Sequence, residues 1–182
     1  MKIAQSKTRD QFPLSPKKIV KKTIAYSIFW IILFLISTFS LIAYMVSSGF
    51  NGLLGILIIL VGILFLIIWL TYLYQKWYFE VYFYDLTPDF IQIKKGPITP
   101  REITIPYERI QDVYVDQDLL DRIFGLYDVH LSSATASSGM EAHIDGVEKQ
   151  SADGLRALLL ETVKQRISKN RSTNPPTANP VS

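Results

Sequence analysis

Three potential metal ligands alternate along one short segment of the sequence. Glu141, His143 and Asp145 are separated by single residues, so on a β-strand their side chains would project from one face. Carboxylate and imidazole groups are ligands for zinc and other divalent metals. Ligands on a single strand are spread along it, however, and His130 is the only other histidine in the chain. We therefore predict a solvated strand face at this position and no metal site.

The remaining reactive groups lack the arrangement that catalysis needs. The serines around Gly139 do not form the Gly-x-Ser-x-Gly turn of a serine hydrolase. The chain has no cysteine, which excludes a thiol nucleophile, a disulfide and a thiolate metal ligand. Neither a Gly-Lys-Ser/Thr loop nor the spaced glycines of a dinucleotide site is present. We predict a protein without catalytic residues or a cofactor, and a membrane-bound enzyme is the weakest alternative.

Two long apolar runs, residues 24–46 and 53–74, precede these groups and contain no charged residue. At a rise of about 1.5 Å per residue, each run forms a helix of roughly 30 Å or more, enough to cross a bilayer core. The segment 47–52 between them is rich in turn residues. We predict a transmembrane helical hairpin over residues 24–74. Two buried helices of a soluble core are the alternative, but such helices normally keep a polar face.

Basic residues flank the hairpin and set its expected orientation. Four lysines precede the first run, Lys76 follows the second, and the turn between the runs is uncharged; the four are Lys17, Lys18, Lys21 and Lys22. Positive residues stay on the cytoplasmic side, so we expect a multi-pass protein of the inner membrane with both termini in the cytoplasm. The first run begins late and the second follows at once, so we expect no signal-peptide cleavage.

Charge is unevenly distributed along the chain. Residues 1–23 form a basic cytoplasmic arm with seven Lys or Arg and one acid, whereas residues 75–182 contain twelve basic and fifteen acidic residues. The arm suits an anionic leaflet or serves only to set topology. Its first sixteen residues are polar and are predicted to form a loose tail. Because the larger part of the chain is slightly acidic, a nucleic-acid partner is not expected.

Three glycines recur at helical spacing near the start of the second run, namely Gly52, Gly55 and Gly62. Small residues on one helix face let another helix approach closely. We consider two alternatives: packing of the hairpin on itself, or contact with another membrane protein.

After Lys76 the pattern changes from helical to strand-like. Short segments rich in aromatic and β-branched residues predict six strands over 77–84, 90–94, 101–105, 110–115, 127–132 and 140–145. A helical turn closed by Gly125 is expected between the fourth and fifth strands. An amphipathic helix follows, with Ser151 as its N-cap and an apolar stripe that continues to Ile167. Residues 75–167 therefore predict an α+β domain, an antiparallel barrel or sandwich capped by a C-terminal helix, and residues 168–182 a disordered tail.

The middle of this domain carries a specific motif. It combines Ile-Pro-x-x-Arg-Ile-Gln over 105–111 with Leu-x-Arg-x-x-Gly-Leu over 120–126. This motif resembles that of the bacterial pleckstrin-homology (PH) domains of YdbS-like membrane proteins. The matching residues are Pro106, Arg109, Ile110, Gln111, Gln117, Leu120, Arg122, Gly125 and Leu126. The resemblance covers about 77–166. The two predicted membrane helices that precede this segment also fit the family. It implies a PH-like fold of two nearly orthogonal sheets, and a membrane-anchored binding or assembly module that is not an enzyme.

The motif residues have two possible roles. Arg109 and Arg122 could pair with nearby aspartates and fix the turn between the fourth and fifth strands, the candidates being Asp112, Asp118 and Asp121. Alternatively, they form a partner-binding surface with nearby tyrosines, since arginine and aromatic residues dominate interface energetics; these tyrosines are Tyr107, Tyr114 and Tyr127. We expect the partners to be the lipid bilayer and a protein, either another membrane protein or a second copy.

The loop between the first two strands, residues 85–89, has two acids and no base. Recognition of an anionic headgroup needs Lys or Arg, so the sequence argues against phosphoinositide binding. We predict a non-enzymatic PH-like module on the cytoplasmic membrane face. A subunit of a membrane transport or envelope-stress complex is the alternative.

Overall fold

A short helix and two long ones come first in the chain, and two small sheets with a closing helix follow. The computed structural model describes residues 6–48, 53–133 and 142–173. In chain order the elements are α1 (Lys7–Gln11), α2 (Lys17–Ser48), α3 (Leu53–Val81), β1 (Phe83–Leu86), β2 (Phe90–Lys95), β3 (Arg101–Pro106), a 3-10 turn (Tyr107–Arg109), β4 (Ile110–Asp116), α4 (Leu119–Phe124), β5 (Leu126–Ser133), β6 (Ala142–Glu148) and α5 (Lys149–Thr173).

The helices α2 and α3 are long and apolar enough, by length and composition, to cross a membrane. The qualifying segments are Lys17–Ser47 and Leu54–Val81, with mean hydropathies of 2.3 and 3.0. Only 6% and 0% of their most apolar windows are buried in the structure, whereas the core helix of a soluble protein is mostly buried. Hydroxyl groups along them donate to carbonyls one turn back, as Thr38 does to Phe34 and Thr71 to Ile67. These side chains thus satisfy their own polar groups without water.

The helix α3 extends beyond the predicted span and ends only at Val81. The prediction of a strand over 77–84 is therefore wrong for its first six residues, of which five are helical and the sixth, Tyr82, lies between α3 and β1. Aromatic residues favour strands only weakly, and here their rings pair along one helix face instead, with the centroids of Tyr74 and Tyr78 6.4 Å apart. Continuing a helix already formed costs less than ending it, and no Pro or Gly interrupts this segment. A single residue, Tyr82, separates α3 from β1.

The first sheet is antiparallel with the order β1-β2-β3. Its register pairs Phe83 with Lys94 and Ile91 with Ile105. Alternate residues face the core, and Ile91 and Ile93 are fully buried. The predicted second and third strands are confirmed to within one residue at their ends.

The second sheet is also antiparallel, with the order β4-β5-β6. Val113 pairs with Leu131 and Val129 with Ile144, and all four side chains are buried. Helix α5 packs against β4, β5 and the 3-10 turn, and its Leu155 and Leu159 are fully buried. The α+β prediction of a sandwich capped by a C-terminal helix is confirmed, but among the described residues no strand pairing joins the two sheets into a closed barrel.

The segment before α2 belongs to this domain and is not a loose tail over residues 6–15. The Ser6 hydroxyl donates to the Tyr84 carbonyl at 2.6 Å, and the Leu86 amide donates to the Thr8 hydroxyl at 3.1 Å. Leu14, only 5% exposed, forms an isolated β-bridge with Val147. The prediction of a loose tail rested on the polar composition of the segment. It failed because Leu14 and Ser6 contact strands that lie far along the sequence.

Contacts divide the chain into two compact units. One is Met1–Ser15 with Val81–Ser182, and the other is Pro16–Glu80. The sequence-based division into 1–23, 24–74 and 75–167 differs because the first segment joins the distant domain. Helix α5 also begins at Lys149 instead of after an N-cap at Ser151. It continues to Thr173, so the predicted disorder from residue 168 is wrong up to that point, and the rest of that tail lies outside the described residues.

Candidate functional site

The start of the motif forms a buried support between β3 and β4. Tyr107 is fully buried, and its hydroxyl donates to the Thr87 carbonyl at 2.8 Å. Burial raises the pKa of Tyr107 to about 12, so the hydroxyl stays protonated and remains a donor at neutral pH. Ile110 is buried beside it, and Pro106 pairs with Phe90 at the end of β3. Pro106 and Ile110 therefore have structural roles.

The second half of the motif builds α4 and its two ends. Asp118 caps the helix by accepting from the Asp121 amide at 2.6 Å, and Asp121 completes a capping box. Gly125 ends the helix with φ at 66°, a conformation that glycine adopts without strain. Gln117 Nε2 donates to the Leu126 carbonyl at 2.7 Å. The predicted helical turn is confirmed, and Gln117, Gly125 and the fully buried Leu126 hold it, with Leu120 half-buried.

The two motif arginines do not fix this turn. Asp118 and Asp121 are used in the capping box, and in the described part of the chain neither the Arg109 nor the Arg122 guanidinium has a hydrogen bond or ion pair. Both side chains are exposed. They lie beyond opposite ends of β4, a strand of seven residues that spans about 20 Å. The ion-pair prediction is therefore wrong, and the structure does not bring the two arginines together.

Exposure separates the motif into buried support and accessible groups. Arg109 and Gln111 are both exposed at the start of β4, whereas Tyr107, offered with them as contact area, is buried. Tyr127 is half-buried on β5. The accessible part of the predicted partner surface is thus reduced to Arg109 and Gln111 at one end of β4 and Arg122 at the other.

Three rings stack across the second sheet, an arrangement that the sequence analysis missed. The Tyr114 and His130 centroids are 4.9 Å apart with the rings nearly parallel, and those of His130 and His143 are 5.5 Å apart. His130 Nε2 lies 3.1 Å from Asp116 Oδ1. The register places Tyr114 opposite His130 and His130 opposite His143, so strand pairing was the signal that could have found the stack.

The predicted solvated face around His143 is only partly observed. His143 is half-buried and Asp145 is buried, at 6% exposed. Glu141, the third potential ligand, lies outside the described residues. Within residues 6–48, 53–133 and 142–173, no group of three or more His, Asp or Glu side chains is placed to hold a metal ion.

Both acids of the predicted loop 85–89 make contacts within the domain, Asp85 from β1 and Asp89 from the β1–β2 turn. Asp85 Oδ1 accepts from the Ser6 hydroxyl at 2.9 Å, and Asp89 Oδ1 lies 2.7 Å from Arg166 Nη2. Arg166 also donates to the Pro88 carbonyl. The turn thus has a basic neighbour that sequence order did not reveal, because Arg166 reaches it from α5.

The two described glycines of α3 face open space. A Cβ atom added at Gly55 or Gly62 would meet nothing within 4 Å, so the described residues show no close packing at these two positions. Gly52 lies outside the described residues. Contact of this face with another membrane protein stays a prediction.

The four lysines that precede the first apolar run lie in the first two turns of α2 and differ in exposure. Lys17 is exposed and Lys22 half-buried, whereas Lys18 and Lys21 are only 3% and 2% exposed.

Comparison with protein families gives a match, and it covers most of the chain. Residues 23–163 match the family model described as "Bacterial PH domain". No curated protein and no solved structure matches the chain.

Proposed function

The chain belongs to the bacterial PH domain family, and from that premise we propose that it is a non-catalytic binding module anchored in the cytoplasmic membrane by α2 and α3. Its PH domain then lies on the cytoplasmic face, where it binds a protein partner, either another membrane protein or a second copy. PH domains generally act as binding modules, which supports the non-catalytic assignment.

One observation carries this proposal: both ends of the two-helix segment are joined to the same domain. On the N-terminal side, the Ser15 amide donates to the Gly146 carbonyl at 2.9 Å, two residues before α2 begins. On the C-terminal side, Tyr82 alone links α3 to β1. A segment whose two ends are fixed to one compact domain must return to the side of the membrane on which it began. This supports an even number of crossings.

The same observation bears on processing and orientation. Cleavage after α2 would release Ser6 and Leu14 from their contacts with β1 and β6, which argues against a removable signal sequence. Lys17 and Lys22 precede the first crossing and Lys76 lies near the end of the second. Positive residues at both ends of a hairpin favour placing both ends in the cytoplasm.

The topology can be tested with single cysteines, because the natural chain contains none. We expect Asn51→Cys, between α2 and α3, to react with a membrane-impermeant maleimide in intact spheroplasts. Ala157→Cys, exposed on α5, should react only after permeabilisation. Labelling of Ala157→Cys in intact spheroplasts would overturn the proposed cytoplasmic location.

The proposed partner surface is the exposed end of β4 that carries Arg109 and Gln111. A photo-crosslinking amino acid at Arg109 is expected to give a discrete crosslinked product in cells, and the same residue at Arg156, exposed on α5, should not. A product at the mass of a dimer identifies a second copy, and a heavier one can be identified by mass spectrometry. Equal products at both positions, or none, would contradict a binding role for Arg109.

A further inference from the structure

Three large apolar side chains of the PH domain are far more exposed than its others. Among the described residues Ile98, Leu119 and Ile123 are 69%, 77% and 70% exposed, and the next in order is Leu160 at 46%. They lie in two connections, Ile98 between β2 and β3 and the other two on α4. Leu119 and Ile123 are four residues apart, so they share one helix face. Adjacent exposed apolar groups such as this pair on α4 mark interaction surfaces.

The strand register places Ile98 beside the point where the chain arrives from α3. Phe83, the first residue of β1, pairs with Lys94 near the end of β2. Beyond Lys94 the chain continues through Lys95 into the β2–β3 turn, away from the body of the sheet. Ile98 therefore lies past the start of β1, on the side at which Val81 and Tyr82 enter the domain.

A second register places α4 beside the point where the chain leaves for α2. Leu126, two residues after the end of α4, pairs with Glu148, and Tyr127 pairs with Val147. Val147 in turn bridges Leu14, and the neighbouring Ser15 bonds to Gly146. The exposed face of α4 is thus close to the residues that directly precede α2.

Both connections also carry basic residues. Lys95 and Arg101 face each other across the β2–β3 turn, and Arg122 shares the α4 face with Leu119 and Ile123. Glu102, the acid next to Arg101 on β3, is engaged within the domain. Glu102 lies 3.2 Å from Lys94, and hydrogen bonds from Lys94 and Gln92 lower the pKa of this carboxyl group. Exposed apolar groups with flanking Arg and Lys suit the interface of an anionic bilayer.

We propose that the β2–β3 turn and α4 form a membrane-contact rim, with Ile98, Leu119 and Ile123 inserted among the headgroups of the anionic cytoplasmic leaflet. This inference rests on the proposed two-helix anchor. Tyr82 is the only residue between α3 and β1, and one residue spans at most about 3.6 Å. The uncharged run of α3 ends at Tyr74, and the helix continues to Val81, a further rise of about 10 Å. A spanning α3 therefore holds this end of the domain at the level of the headgroups or just beyond them. The β1–β2 turn, where Arg166 contacts Asp89, lies at the opposite end of the first sheet.

The test uses the full-length protein in vesicles of phosphatidylethanolamine and phosphatidylglycerol. An environment-sensitive fluorophore is attached in turn to Ile98→Cys, Ile123→Cys and the control Ile167→Cys. Ile167 is an exposed isoleucine of α5 that neighbours Arg166, at the far end of the domain. We expect a blue shift and loss of most iodide quenching at positions 98 and 123, with quenching by spin-labelled lipids, whereas the label at 167 stays aqueous. Iodide quenching at 98 and 123 equal to that at 167 would overturn the membrane-contact rim.

A label at Leu66→Cys, midway along α3, separates the two proposals. Lipid quenching at Leu66 without quenching at Ile98 and Ile123 leaves the anchor standing and refutes the rim. Absence of lipid quenching at Leu66 refutes the anchor, and the rim that depends on it falls as well.

Discussion

Replacing Leu14 with alanine is expected to lower the free energy of unfolding of the PH domain by about 3 kcal/mol, within the usual range for a buried leucine. Leu14 is 5% exposed and bridges Val147 on β6. The substitution removes apolar contact and leaves a cavity beneath the N-terminal segment. If this segment were a loose tail, the same change would have almost no effect on stability.

Urea unfolding of the full-length protein in detergent, followed by pulse proteolysis, measures this loss for the domain. Gln11→Ala is a matched control, because Gln11 lies three residues away on α1 and is exposed. We expect the control to change the free energy of unfolding by less than about 0.5 kcal/mol. A comparably small change for Leu14→Ala would mean that the segment does not stabilise the domain.

Replacing Leu66 with arginine is expected to oppose membrane insertion by about 3 kcal/mol, which is the cost of an arginine at the centre of a spanning helix. Leu66 lies near the middle of the apolar segment Leu54–Val81, and its side chain is exposed. On the surface of a soluble protein, an exposed leucine could become arginine without loss of stability. The direction of the effect therefore distinguishes a lipid-facing helix from a water-facing one.

The fraction of protein that stays in carbonate-washed membranes gives the readout. Leu160→Arg is the control, because Leu160 is also an exposed leucine on a helix but belongs to α5. We expect Leu66→Arg to reduce the membrane fraction strongly and Leu160→Arg to leave it unchanged. Equal membrane fractions for the two variants would count against a membrane-spanning α3.

Local patterns predicted much of the fold because they report local physical constraints. The uncharged runs predicted two long apolar helices, and alternation predicted β2 and β3 closely. The helical turn at α4 followed from the glycine that closes it, which acts within a few residues, whereas the Asp118 cap was found only in the structure. The boundary between α3 and β1 was misplaced, because the aromatic run after Lys76 fits both a strand and a helix that is already formed.

The candidate site was less predictable, since its contacts join residues far apart in the chain. Sequence order suggested that Arg109 and Arg122 pair with neighbouring aspartates, but the helix cap uses two of those aspartates. Sequence order also suggested that the β1–β2 turn has no basic neighbour, although Arg166 of α5 forms an ion pair with Asp89 there. It also missed the stack of Tyr114, His130 and His143, which exists only once three strands are in register.

The sequence by itself determined that this protein has two apolar helices, a small α+β domain and a PH-family motif, because hydrophobic period, turn chemistry and charge are local properties. Only the tertiary structure decided that residues 6–15 complete the domain and that both ends of the helical pair are joined to it. It alone placed Ile98 beside the start of β1, and Leu119 with Ile123 beside the residues that precede α2. Strand register sets these positions. Register depends on which strands pair with one another, and the order of residues along the chain does not specify that pairing.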